Sequence, residues 1–352
     1  MIRKSTLNLN QSNPNKIDKL NIVFQEYNRI VNFIIQDLWD NQTFRGNFVA
    51  AIPQTNTWFS KRLQQCAAKQ ALSIVKSQRK KKRKTMPSFN SLTIELDSRF
   101  SEIHQDLNSF DIWIKLSSIG EKIGLWLPSH KHRQFNQFKG WTLKKSIRLR
   151  KVENNIYCDV YFEKQEPEKK NVGKPKAFDI GYKKLLVDES GNQYGQDFEQ
   201  LCEKISNKQQ GSKAFKRSLN ERDCYINKVV KDVDLSETQI VYLEDLKNVK
   251  HKSRIGRKVM NKLQRWSYSR VIQRFELICA ETGVQFCQVN PMNTSRTCVN
   301  CGAIHAESRK GELFKCVECG WSADADHVGA MNILLRGQGN MVSDSVESNK
   351  FI

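Results

Sequence analysis

The sequence predicts an α+β protein, with a front half in which amphipathic helices interrupt a small antiparallel β-barrel and a back half of mixed strands and helices carrying a four-cysteine knot. Three observations predict it. Apolar residues recur every three or four positions from Ile17 to Trp39 and again from Phe59 to Ile74, the period of a helix with one buried face. Between Pro87 and about Glu163 the period falls to two, in several short runs that read as successive strands of a small barrel. Two Cys-x-x-Cys pairs, Cys298 with Cys301 and Cys316 with Cys319, then punctuate the back half.

Taken in order, residues 4–10 alternate weakly and read as one strand. The first helix is carried by Leu20, Phe24, Tyr27, Val31, Ile34 and Leu38, and the second, after a loop around Pro53, by Phe59, Leu63, Cys66, Ala67, Ala71 and Ile74. Tyr27 and Trp58 are aromatic enough to stack on bases, but core burial is the simpler expectation. The second helix runs into Arg79, Lys80, Lys81, Lys82, Arg83 and Lys84. Such a run is either a solvated helix end or a phosphate contact, and the charge of the whole chain favours the contact.

The strands expected next are Leu92–Leu96, Phe110–Leu116, Leu125–Leu127, Ile147–Arg150 and Ile156–Phe162. Lys164 to Lys176, rich in Lys, Glu and Pro, reads as a linker and as the main domain boundary. Beyond it a strand ends at Asp179 and leads through Gly181 to Leu185–Asp188, with hairpin-turn chemistry in Glu189-Ser190-Gly191-Asn192. A polar stretch from Phe198 to Val233 reads as helical, and Ile240–Leu243 as a buried strand with Glu244 at its C-terminal end. A basic helical region through Trp266, Phe275 and Ile278 and a strand at Val284–Val289 follow, with Trp266 and Phe275 read as core. Residues 1–10 with 86–172 thus form the expected barrel, 11–85 a helical domain, 173–292 with 321–338 a mixed core, 293–320 the cysteine knot and 339–352 a disordered tail.

Lysine and arginine number 58 against 37 aspartates and glutamates, a formal charge of +21. A chain bearing that much self-repulsion is expected to meet a polyanion, and nucleic acid is the default. No apolar stretch is long enough for a membrane helix, and the N-terminus has no apolar run, so a cytoplasmic protein without a membrane partner is expected. Six of the ten cysteines are scattered in apolar-looking contexts, which fits reduced thiols plus one metal site.

The two Cys-x-x-Cys pairs, each followed by glycine (Gly302, Gly320), predict a Zn2+ site. Each knuckle aims two thiolates at one point, glycine permits the left-handed turn, and four thiolates leave no open position for water, so the zinc is expected to be structural. Its loop, with His305, Arg309 and Lys310, is either a nucleic-acid contact or a scaffold. Asp179, Glu244 and Asp326 sit at strand ends and at the start of a helix-like segment. Each has a bland reading as a turn former or helix cap. Converging, they would suit Mg2+ or Mn2+, hard cations that activate water and stabilise a leaving 3′ oxygen.

The blocks Phe178-Asp179-Ile180-Gly181, Val241 to Leu246, Asn293 to Gly302, and Cys316-x-x-Cys319-Gly320 followed by Asp324 to Ile333 resemble, in order and spacing, the TnpB family of transposon-encoded RNA-guided endonucleases, relatives of the compact type V CRISPR effectors. The resemblance is specific over roughly residues 175–336. It implies an RNase H-like, RuvC-type nuclease core with an inserted zinc ribbon, a wedge-type barrel and a helical recognition domain. It implies catalysis by Asp179, Glu244 and Asp326, with Asp324 structural, and as partners a guide RNA and double-stranded target DNA, one monomer per RNA being favoured. His327-Val328-Gly329 departs from the family's usual Asn-Ala, which touches local packing more than the acids. Arg296 is expected on phosphate, and Asn332 as a packing or capping amide. A nuclease-inactive RNA-guided DNA-binding protein and an unguided zinc-ribbon accessory of transposition stand as the alternatives.

Overall fold

The computed structural model describes residues 1–41, 52, 55–120, 124–246 and 267–339, and its contacts divide the chain into one unit of Met1–Gln165 and another of Glu166–Ile352. Trp266, Pro53 and all of the expected tail but Gly339 lie outside the described residues.

In the first unit, helix α1 (Pro14–Asp40) starts with proline in its first turn, where the missing N–H costs nothing. It buries Leu20, Phe24, Tyr27, Val31, Ile34 and Leu38 along one stripe. Helix α2 (Lys61–Lys80) is capped by Ser60, whose hydroxyl accepts from the Leu63 N–H, and closes on Arg79 and Lys80, cations suited to the negative end of the helix dipole. The remaining members of the basic run, Lys81 to Lys84, follow the helix as exposed turn and coil, with Lys82 left-handed at φ 53°.

The strands form two antiparallel sheets, where the sequence suggested one barrel. Strands β1 (Ile2–Asn8), β7 (Asn155–Glu163), β6 (Thr142–Val152) and β2 (Leu92–Leu96) pair in that order, and β3 (Ser101–Gln105), β4 (Ile112–Leu116) and β5 (Leu125–Ser129) form a second ladder. No hydrogen-bonded strand pair joins the two among the described residues. They share one core with both helices, from Leu7 and Phe24 through Leu63 and Ile114 to Val160, so α1 and α2 are packed into the same body as the strands. β3 and the short helix α3 (Arg133–Asn136) carry too few apolar residues to have been seen by period.

In the second unit, β8 (Lys174–Ile180), β11 (Thr238–Glu244) and β12 (Gln285–Val289) run parallel, and β9 (Leu186–Asp188) and β10 (Gln193–Tyr194) extend the sheet antiparallel beyond β8. The expected linker is shorter at its far end, since Lys174 already pairs with Thr238. Its remainder is tied to this unit, the Lys170 ammonium donating to the carbonyls of Leu235 and Ser236. Helices α4 (Phe198–Ser206) and α5 (Lys213–Lys231) divide the polar stretch, and α6 (Tyr268–Thr282) connects β11 to β12.

The two-residue period of the strands decides which side chains meet. Phe178 and Ile180 of β8 and Val241 and Leu243 of β11 join one core with Ile226 and Phe275. Ala177 and Tyr242 face the opposite way, against Ile333 of helix α7 (Ala325–Gly337). Asp179 and Glu244 therefore fall on the α7 side, each two residues beyond the paired Ala177 and Tyr242. Among the described residues, no helix is long and apolar enough to cross a membrane.

Candidate active site and four-cysteine centre

Asp179 and Glu244 stand at the C-terminal ends of neighbouring parallel strands, the edge where open α/β sheets hold ligands. The start of α7 brings Asp326 to the same place. Its N-cap is Asp324 rather than Asp326: Asp324 Oδ1 accepts from the N–H groups of Asp326 (3.0 Å) and His327 (3.2 Å). Lys184 binds the other oxygen of Asp324 at 2.8 Å, so this acid is occupied as a cap and ion pair, whereas Asp326 does not cap and lines the cleft.

Gly329 lies one turn further along α7, and a Cβ there would stand 3.1 Å from Asp179 Oδ2. That absent methyl allows the helix to approach the strand end, which is the packing consequence of the His327-Val328-Gly329 departure. His327 turns the other way, its Nε2 lying 3.0 Å from the Glu189 carbonyl in the β9–β10 hairpin.

The three acids line one cavity of about 670 Å³, together with Tyr182, Lys183, Thr294 and Arg309. Burial, then the neighbouring charges of Glu244 and Asp326, push the Asp179 carboxyl well above the usual carboxylate range, against the pull of Arg309. Burial likewise raises Glu244, opposed by the Thr294 hydroxyl, which donates to Glu244 Oε1, and by Arg336 and Arg309. Crowded carboxylates of this kind are hard oxygen donors suited to a divalent cation, but among the described residues only the four cysteines already lie within one ion's reach of one another.

The pairing of Arg309 with Asp326 is what the sequence did not show. The guanidinium expected near phosphate, Arg296, is exposed and does not line the cavity. Arg309 does, with Nη2 3.0 Å from Asp326 Oδ1. Its placement comes from strand pairing within the cysteine region: β13 (Arg309–Lys310) turns at Gly311 (φ 65°) into β14 (Leu313–Lys315), which pairs with β15 (Ser322–Asp324) directly ahead of α7. Asn332, on the buried side of α7, donates from Nδ2 to the carbonyls of Thr294 and Thr297, both at 2.7 Å. It thereby holds the turn that presents the Thr294 hydroxyl to Glu244, a packing amide with a consequence for the site.

The four cysteines converge, their sulfurs all within 4.8 Å of one another. Cys298 and Cys319 are 3.7 Å apart and Cys301 and Cys316 are 3.6 Å apart, far from the ~2.05 Å of a disulfide. A tetrahedron with metal–sulfur bonds of ~2.3 Å has edges of about 3.8 Å, so the spacing suits one zinc ion. The knuckles are built alike: Gly302 N–H donates to the Cys298 carbonyl and Gly320 N–H to that of Cys316, the glycines at φ 76° and 73°. Cys298, Phe314 and Cys316 pack on Ala325 and Val328 of α7, so this centre and the acid-bearing helix share one small core. Of the remaining cysteines, Cys158, Cys202 and Cys279 are buried and Cys66 half-buried, but Cys224 and Cys287 are exposed, contrary to their apolar-looking sequence context.

Comparison with known proteins bears on this region. The family model described as Cas12f1-like, TNB domain matches residues 268–333, from α6 through the cysteines to α7. The CRISPR-associated endodeoxyribonuclease Cas12f1 of Sulfoacidibacillus thermotolerans is 30% identical over 151 residues, 42% of this chain and 32% of that protein. A TnpB-like protein of Methanocaldococcus jannaschii is 25% identical over 177 residues, 48% of this chain and 62% of that one. The chain thus matches about a third of the first relative's length and under two thirds of the second's. In fold, it resembles Cas12f1 in a complex with sgRNA and target DNA (TM-score 0.56, 14% identity, 90% of this chain and 82% of that chain). It also resembles the mini-RNA-guided endonuclease CRISPR-Cas_phi3 (TM-score 0.52, 10% identity, 97% and 92%).

Proposed function

The chain is a TnpB/Cas12f-type family member, and from that premise we propose that it is an RNA-guided DNA endonuclease cutting phosphodiester bonds at the cleft of Asp179, Glu244 and Asp326. The observation that carries the reading is the convergence, at one sheet edge, of three carboxylates separated widely in sequence.

In this reading Asp179, Glu244 and Asp326 hold Mg2+ or Mn2+, which when bound supplies activation of the attacking water and stabilisation of the leaving 3′ oxygen. The remaining work falls to the chain. The Thr294 hydroxyl keeps Glu244 oriented, and the first turn of α7 carries Asp326 into the cleft. Arg309, paired with Asp326 and partly exposed to the cavity, steadies negative charge on the scissile phosphate through its guanidinium fork. Water adds to phosphorus and gives up a proton, the bond to the 3′ oxygen breaks, and the 3′ oxygen takes up a proton, so that one water yields a 5′-phosphate and a 3′-hydroxyl.

Zinc at Cys298, Cys301, Cys316 and Cys319 is structural in this account, holding the hairpin that carries Arg309 and the strand that feeds α7. Residues 173–292 with 321–338 serve as the RuvC-type core and 293–320 as its zinc ribbon, while the two sheets of the first unit serve as the wedge-type domain and α1 and α2 as the recognition helices. The basic run Arg79–Lys84 and the exposed Arg296 serve phosphate contact, and base pairing with a guide RNA supplies sequence choice. The protein co-purified with its RNA and given magnesium and a plasmid matching the guide tests the reading. Guide-dependent linearisation is expected. Loss of cutting with target binding intact would instead mark a nuclease-inactive binding protein, and absence of a discrete bound RNA an unguided accessory.

A further inference from the structure

The first unit carries a cavity that the nuclease reading does not use. It lies between α3, the turn that follows it and the edge of β6 and β7, with a volume of about 480 Å³, inside the ~300–1,000 Å³ usual for small-ligand sites. Its walls are aromatic. Phe138 stacks on Phe162 with ring centroids 4.9 Å apart and planes at 27°, and Trp141 meets Phe138 edge-on at 5.4 Å. Phe162 is buried, but Phe138 and Trp141 are only half-buried, so part of each ring is exposed to the cavity they line. The turn at Gly140, left-handed at φ 84°, has no atom within 4 Å of where a Cβ would stand, which leaves the mouth open.

The polar groups at this cavity have chemistry to spare. The side chains of Gln105, Asn136 and Lys139 line it and take part in no hydrogen bond or ion pair among the described residues. Two carboxamides offer both donors and acceptors, as the edge of a nucleobase requires, and an ammonium without a counter-ion suits a phosphate. Lys131, which also lines the cavity, is paired with Asp106 at 2.8 Å, so the positive charge nearby comes from Lys139 and from Lys164, whose ammonium lies 5.9 Å from the Trp141 ring centroid. An apolar ligand would leave the amides and the lysine unused. A π-faced ligand bearing hydrogen-bonding edges and a negative charge uses all of them.

We propose that this cavity takes one unpaired nucleobase of a bound polynucleotide, stacked against Phe138 and Trp141, with Gln105 and Asn136 at its edge and the adjoining phosphate at Lys139. The inference deepens the reading of the chain as a nucleic-acid-guided enzyme and rests on it for the polynucleotide. It adds a site for a base held out of pairing, remote in sequence from the carboxylates. Stacking on an aromatic platform is tolerant of base identity, so the amides, not the rings, set any preference.

The test uses the full chain and a ten-nucleotide single strand with one central 2-aminopurine, made as RNA and as DNA, each with a fully paired counterpart. Binding is followed by anisotropy of an end label, stacking by quenching of 2-aminopurine, and location by ultraviolet cross-linking and peptide mapping. The single strand should be quenched on binding, the duplex should not, and cross-links should map to Phe138 or Trp141. Quenching of RNA and DNA alike, or of RNA alone, supports the pocket equally, the second adding recognition of the 2′-hydroxyl.

The exposed double variant Asn136→Ala/Lys139→Glu should weaken single-strand binding about tenfold, or ~1.4 kcal/mol, and abolish quenching. Trp141→Ala should do the same, and the double variant decides the matter if Trp141→Ala does not fold. Tight single-strand binding without quenching, or with quenching and affinity unchanged in the double variant, would overturn the pocket alone. A wild-type chain that binds neither nucleic acid would overturn both the pocket and the reading it rests on.

Discussion

Replacing Asn332 by alanine should destabilise the second unit by about 2–4 kcal/mol and impair the cleft, although Asn332 is not at the cavity. The residue is 1% exposed, and its amide donates to the carbonyls of Thr294 and Thr297 at 2.7 Å each. Alanine leaves both carbonyls without that donor in a dry site, at a cost of ~1–3 kcal/mol apiece. Part is recovered, because the Asn332 Oδ1 accepts no hydrogen bond from the described residues and its removal relieves a buried acceptor. In a unit of this size each kcal/mol moves the melting midpoint by roughly 2–4 °C, so calorimetry should show a fall of about 5–15 °C. Because the same turn presents the Thr294 hydroxyl to Glu244, cleavage measured well below the new midpoint should also slow. A midpoint within about 2 °C of wild type, with unchanged cleavage, would refute the idea that this amide secures the turn.

Arg309→Ala should lower cleavage by about 10²-fold while leaving guided target binding intact, as removal of one preorganised charge-stabilising donor does, and a single-turnover assay beside a gel-shift reads both. Chelation of the metal, or Cys316→Ser, should abolish the zinc content seen by atomic absorption and lower cleavage in parallel, since the hairpin delivering Arg309 is held by that centre; full activity without zinc would argue against the coupling. In the first unit, burial alone would raise the Asp159 carboxyl, but hydrogen bonds from Arg150 and Thr6 and the charge of Lys4 outweigh it and hold its pKa below the usual value. A depressed folded-state pKa stabilises above the unfolded value and is lost as pH falls through the folded one, so this contribution should begin to fall away near roughly pH 4 and be gone only below the lower folded-state value. Asp159→Asn should flatten that acid limb in a stability-versus-pH series.

The sequence was most legible where local periodicity governs. The stripe from Leu20 to Leu38 marks α1 because a helix must bury one face whatever it packs on, and the run Ile240–Leu243 marks β11 because the strand is covered on both faces. The acids were visible as strand-end residues, and period two fixes the side of the sheet they share. What local pattern cannot supply is pairing between segments. Arg309 reaches Asp326 through the β13–β14–β15 ladder, whereas the closer-looking Arg296 stays on the surface. Asp324 and Asp326 are equivalent as sequence, and only backbone geometry at the start of α7 decides which one caps. Two sheets replaced the single expected barrel for the same reason, since alternation fixes which residues point inward but not where one ladder stops.

The central claim is that Asp179, Glu244 and Asp326 act together on a shared divalent cation. It is tested most directly by cleavage of a guide-matched plasmid by the wild-type ribonucleoprotein and by Asp179→Ala, Glu244→Ala and Asp326→Ala, with magnesium or with chelator. Cutting is expected from the wild type with magnesium and from none of the variants, while all four still bind the target. Cutting by a variant lacking one of the acids, or by the wild type in chelator, would contradict it.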